Sequence, residues 1–199
     1  MGRTGWMAGL TFMAAIIAGG SSVAESAESL PLEVLVIDDV GVPSDTLEQS
    51  RHTASRIFEQ LGIGLVWMGG GMPKVTGYLI VLKIVSQPPE RKSRYRGVLG
   101  TAAASAGNRS RIAWLFYDRI DEERKRLDMD LALMLGHVIA HEMGHLLLAN
   151  GSHSVAGLMK ANWDTNQAAL AFRRSLTFSS EQAEAIRARL RDLSKSPNP

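Results

Sequence analysis

Residues 130–149, DLALMLGHVIAHEMGHLLLA, constrain this chain more than any other stretch. Wound at about 3.6 residues per turn, the segment is apolar on most faces, and a helix without a wet face is stable only in the middle of a domain. Into that helix the chain sets His137, His141, Glu142 and His145. Polar groups in such surroundings cost free energy unless partnered, so their presence points to a site. His141 and His145, four residues apart, project from nearly the same face and can reach one ion, while Glu142 points about 100° to the side. Gly136 and Gly144 each weaken the helix by roughly 1 kcal/mol relative to alanine, which asks for close packing or ligand access at both positions.

The H-E-x-x-H spacing is the one by which a single helix holds zinc and aims a carboxylate at the adjoining water; its chemistry is metal-assisted hydrolysis. With five histidines and eleven glutamates, random order produces the pattern in roughly 0.7% of chains of this length. A catalytic zinc takes a third protein donor. His153 follows His145 by eight residues and is the candidate third ligand, with Asp164 and Glu181 as substitutes. His137 lies one turn before His141, and a drift of about 40° per turn moves it toward a packed or supporting role.

The N-terminus, MGRTGWMAGLTFMAAIIAGGSSVA, joins Arg3 to an apolar run from Trp6 to Ala18 and to small residues ending at Ala24. This is the layout of a secretory signal peptide over 1–24, and the run of about thirteen residues falls short of the roughly 20 that a membrane span needs. The expected product is a secreted or periplasmic protein without a stable membrane span. Residues 25–199, 175 in number (199 − 24), suit a single domain with its core over about 31–193. Without Arg3, 21 basic side chains face 20 acidic ones, so charge gives no reason to expect nucleic acid as a partner. The chain has no cysteine, which excludes disulfides, a thiolate nucleophile and a thiolate ligand.

Leu32–Ile37 is rich in branched apolar residues and reads as a buried strand. Pro43-Ser44-Asp45 opens a helix whose apolar positions Leu47, Ala54, Ile57, Phe58 and Leu61 recur at helical spacing until Gly62. Strands follow at Leu65–Met68 and Tyr78–Val85, then a basic loop over 86–97, a thin edge strand over 98–105 and a stronger strand over Arg111–Ile120. Residues 121–128, DEERKRLD, read as an exposed charged turn or helix start. Asn150-Gly151 ends the histidine-bearing helix, and Ser179-Ser180-Glu181-Gln182 is a capping box opening a last helix with Ala183, Ile186, Leu190 and Leu193 on one face.

HEMGHLLL, then His153-Ser154, then Gly157-Leu158-Met159, resembles the zinc helix, third ligand and methionine turn of the metzincin metallopeptidases, nearest their matrixin-like branch. FSSEQAEAIRARL is similar to the helix that follows that turn in the family. The resemblance implies an α+β fold: a mixed twisted β-sheet with backing helices, a central zinc-binding helix, a Met-turn and a C-terminal helix. It further implies a zinc metalloendopeptidase acting on protein or peptide substrates, with Zn2+ held by His141, His145 and His153, Glu142 as general base, and Met159 as an apolar floor beneath the ion. It also implies that GTAAAS pairs with an extended substrate. Apart from the resemblance, the stretch between Met159 and Phe178, with Trp163, Phe172 and Leu176, either shapes the pocket or packs the core. One departure stands out: the family places a glycine three residues and a histidine six residues after the second histidine, where this chain has Leu148 and Gly151. His153 thus arrives two residues later, as it would after a longer helix end turned by Asn150-Gly151. Two readings of other kinds compete: a non-catalytic zinc-binding or interaction domain, and a zinc hydrolase outside the metzincins using Asp164 or Glu181 as third ligand.

Overall fold

The computed structural model describes residues 32–69, 78–88, 97–104, 111–148 and 153–195. The expected leader over 1–24 and the Asn150-Gly151 turn lie outside these residues. The fold is mixed α/β. Strands β1 (Leu32–Asp38), β2 (Leu65–Met68), β3 (Tyr78–Val85), β4 (Gly100–Ala104) and β5 (Arg111–Phe116) form one sheet in the order β2-β1-β3-β5-β4. The first three pairings are parallel; β4 runs antiparallel to β5 and forms one edge.

The period of two along β3 decides which face is covered. Ile80, Leu82 and Ile84 are fully buried, while their neighbours Val81, Lys83 and Val85 are partly exposed. Leu32 and Val34 from β1 and Ala113 and Leu115 from β5 join the same apolar layer. Helices α1 (Ser44–Glu59) and α3 (Leu131–Leu147) supply its other half. Gly62, with φ of 73°, turns the chain after α1, a conformation that glycine adopts without a Cβ penalty.

One strand is shorter than its sequence suggests. The strand expected over Arg111–Ile120 ends at Phe116, where the chain turns into α2, Tyr117–Arg126. Asp118 lies in its first turn and Arg124, Lys125 and Arg126 in its last, matching the helix dipole. Asp121 pairs with Arg124 at 2.8 Å and Lys125 at 2.6 Å, and Glu123 with Arg126 at 2.6 Å. These i,i+3 and i,i+4 pairs, with Ile120 buried beneath, favour a helix over further strand.

α3 crosses the middle of the fold, as its apolar surface requires: fourteen of its seventeen residues are buried. Asp130 caps its start by accepting from Leu133 N at 2.9 Å, and Arg111 from β5 donates to Leu146 O at 2.6 Å near its end. Both glycines are contact points. A Cβ at Gly136 would stand 2.7 Å from Ser50 O of α1, and one at Gly144 would stand 2.6 Å from Met159 Sδ. After α3 come α4 (Thr165–Phe172) and α5 (Ser180–Lys195). Asp164 and Gln167 form a capping box before α4, and Ser179 and Gln182 exchange bonds of 3.0 and 3.2 Å before α5. Among the described residues no helix is long and apolar enough to cross a membrane.

Candidate metal centre

The three candidate histidine ligands meet. His141 Nε2 and His145 Nε2 lie 3.0 Å apart, and His145 Nε2 and His153 Nε2 lie 3.2 Å apart. His141 and His145 come from successive turns of α3; the chain beyond α3 brings His153 back to them. Ser154 N donates to Met159 O at 2.8 Å, closing the loop that follows His153, and Gly157 turns with φ of 75°. Leu158 N donates to Thr177 O at 3.0 Å, which anchors this loop on the segment before α5. His141 is buried, His145 half-buried and His153 exposed, so the cluster opens outward on one side. Among the described residues these three histidines are the group that could hold a metal ion.

Tautomers follow from the partners. Leu158 O can only accept, so His141 Nδ1, 2.8 Å away, carries the proton and donates it. The Nε2 lone pair is then directed at the other two rings, as a metal ligand's must be. Burial lowers the His141 pKa to about 4, opposed by the Leu158 bond, so this imidazole stays neutral and available as a donor.

Glu142 lies beside the cluster and is 5% exposed. Its carboxyl packs on Gly100 of β4, where a Cβ would fall 2.8 Å from Oε1; only a glycine leaves that seat free. Glu142 Oε2 is buried with no hydrogen-bond partner among the described residues. Desolvation raises the carboxyl's pKa to about 8. A cation at the histidines acts in the opposite direction, favouring the carboxylate.

A cleft of about 680 Å³ runs over the cluster. It is lined by Val98 to Ala102, by His141, Glu142, His145 and His153, and by Lys160 to Trp163. The edge strand expected beside the histidines is therefore present as β4.

The remaining sequence candidates divide. Met159 is fully buried and packs against Gly144 beneath the histidine-bearing turn. Asp164 caps α4 and pairs with Lys160 at 2.6 Å, and Glu181 lies in the first turn of α5; neither joins the histidine group. His137 is fully buried, donates to Leu133 O at 2.8 Å and also stands outside the group. Trp163 lines the cleft, Leu176 is buried core, and Phe172 is exposed on the surface. Gly100 and the Leu158 carbonyl were not sequence candidates; a glycine in a strand hints at close approach, but a backbone oxygen leaves no trace in a side-chain pattern. Compared with known families and curated proteins, the chain matches no family model and no curated sequence.

Proposed function

We propose that this chain is an exported zinc-dependent endopeptidase of the metzincin kind, nearest the matrixin-like branch. The observation that carries the reading is the convergence of three imidazole Nε2 atoms beside a buried carboxylate oxygen that has no hydrogen-bond partner among the described residues, in an open cleft. Zinc–nitrogen bonds of about 2.0–2.1 Å in a tetrahedral arrangement set their nitrogens about 3.3 Å apart, near the separations of 3.0 and 3.2 Å found here. An all-imidazole donor set suits zinc, and three protein ligands leave a position open for reactants. When bound, zinc supplies Lewis acidity toward a carbonyl and lowers the pKa of water to about 7.

The chain's own residues do the rest. Glu142 accepts a proton from the attacking water and returns it to the departing amine; its seat against Gly100 holds the carboxylate in the cleft. Among the described residues β4 pairs with β5 alone, so its other edge can offer backbone N–H and C=O groups to an extended peptide. Pairing of that kind orients a substrate through its main chain and tolerates many side chains. Glu142→Ala should abolish cleavage of casein or gelatin while zinc content stays at the wild-type level. Cleavage by that variant at the parent's rate refutes the reading.

A further inference from the structure

His141 is held by more than its own helix. Leu158 O accepts from His141 Nδ1–H at 2.8 Å and also from the indole Nε1–H of Trp163 at 3.3 Å. A carbonyl oxygen has two lone pairs and can accept both. Several neighbours hold Trp163 in place. Its ring stands edge-on to His141 at 6.0 Å and to His137 at 6.2 Å, and Trp163 is 6% exposed. Arg126 of α2 donates to Trp163 O at 2.9 Å and is itself gripped by Glu123 at 2.6 and 2.8 Å. The next residue, Asp164, is locked as the cap of α4. A continuous line of contacts thus runs from α2 through the indole and the Leu158 carbonyl to the His141 ring.

The final torsion of a histidine side chain is broad, so its rotamer does not fix the ring plane; outside partners must. For His141 that partner is the Leu158 carbonyl, and the direction of that carbonyl depends in turn on what else it accepts. We propose that Trp163 is a positioning residue for the metal centre: its indole N–H aims the Leu158 carbonyl, which sets the tautomer and ring plane of His141. This rests on reading the three histidines as a metal centre. Outer partners of ligating histidines govern about 10- to 100-fold in metal affinity, and this bond acts one step further out. Trp163 is also among the residues that line the cleft.

The test separates the N–H from the shape of the ring. In the full chain, Trp163→Phe removes the donor and shrinks the ring, whereas replacement of Trp163 by β-(3-benzothienyl)alanine keeps the two-ring outline and puts sulfur in place of N–H. Zinc affinity is measured by competition with a chromophoric chelator, and ligand geometry by the visible spectrum of the cobalt-loaded protein. Far-UV circular dichroism of the metal-free proteins reports folding. Both variants should lose about 10-fold in zinc affinity and show a shifted cobalt spectrum while remaining folded. Wild-type affinity and an unchanged spectrum in the benzothienyl protein overturn the proposal, because shape alone then suffices; that protein decides the matter if Trp163→Phe does not fold. A wild-type chain that takes up neither metal overturns the metal reading itself, and this inference with it.

Discussion

Replacing Gly136 with alanine sets two effects of opposite sign against each other. In an exposed helix the change stabilises by about 1 kcal/mol. Here α1 lies against α3, and a Cβ at position 136 would stand 2.6 Å from Thr53 Cβ, 2.7 Å from Ser50 O and 2.9 Å from Thr53 Cγ2. Ordinary carbon contacts lie at about 3.5–4.0 Å. Ser50 O and Thr53 Cβ belong to the frame of α1, and both residues are buried, so no side-chain rotation clears the new methyl. The helices must part by about 1 Å in a close-packed interior, and overpacking of this kind costs about 1–3 kcal/mol. A clash with backbone belongs at the upper end of that range, which leaves a net destabilisation of about 1–2 kcal/mol. For a domain of this size that is a melting point lower by about 2–8 °C. Urea unfolding of the metal-free chain, followed by far-UV circular dichroism, measures the difference. A Gly136→Ala protein as stable as wild type, or about 1 kcal/mol more stable, refutes the close crossing of α1 and α3.

Zinc at a hundredfold excess over its Kd should stabilise the wild-type chain by about 2.7 kcal/mol, and His153→Ala should abolish most of that gain; equal thermal shifts in the two proteins would remove His153 from the ligand set. Gly100→Ala would bring a methyl within 2.8 Å of Glu142 Oε1 and 2.7 Å of Trp114 O. Moving a reacting group by about 1 Å lowers turnover by roughly 10²-fold, so casein cleavage should fall by that order with zinc content unchanged, and undiminished cleavage would show that the seat is dispensable. Burial lowers the His137 pKa from 6.5 to about 4, so between those values the unfolded chain binds the proton first and stability falls as pH falls. His141 acts with the same sign and Glu142 with the opposite one, so the comparison is between variants: His137→Phe should lose less stability than wild type on going from pH 6.5 to 4 in metal-free urea titrations. Parallel curves for the two proteins would mean that His137 is not held neutral.

The features readable in the sequence are those set by short spacings. β1, β2 and β3 begin and end close to where their apolar runs do, α1 stops before Gly62, and the Ser179–Gln182 box opens α5. The strand over Arg111–Ile120 was too long because hydrophobicity does not distinguish a strand from the buried side of a helix; the ion pairs of Asp121 and Glu123 decide for α2. α4 lies outside the elements expected from the sequence, although Asp164-x-x-Gln167 is its start signal.

The histidine site divides along the same line. That His141 and His145 share a face, with Glu142 beside them in a buried helix, is a property of about 3.6 residues per turn and of the residues at those positions, and needs no knowledge of the rest of the chain. That His153 completes the cluster where Asp164 and Glu181 do not, that Glu142 rests on a glycine of the edge strand, and that a tryptophan shares the carbonyl holding His141 are decided by tertiary structure alone. Helical geometry is local and repeats every turn, whereas these meetings depend on how the chain closes loops between β4, α3 and the segment that follows it, and no spacing within any one element encodes that closure.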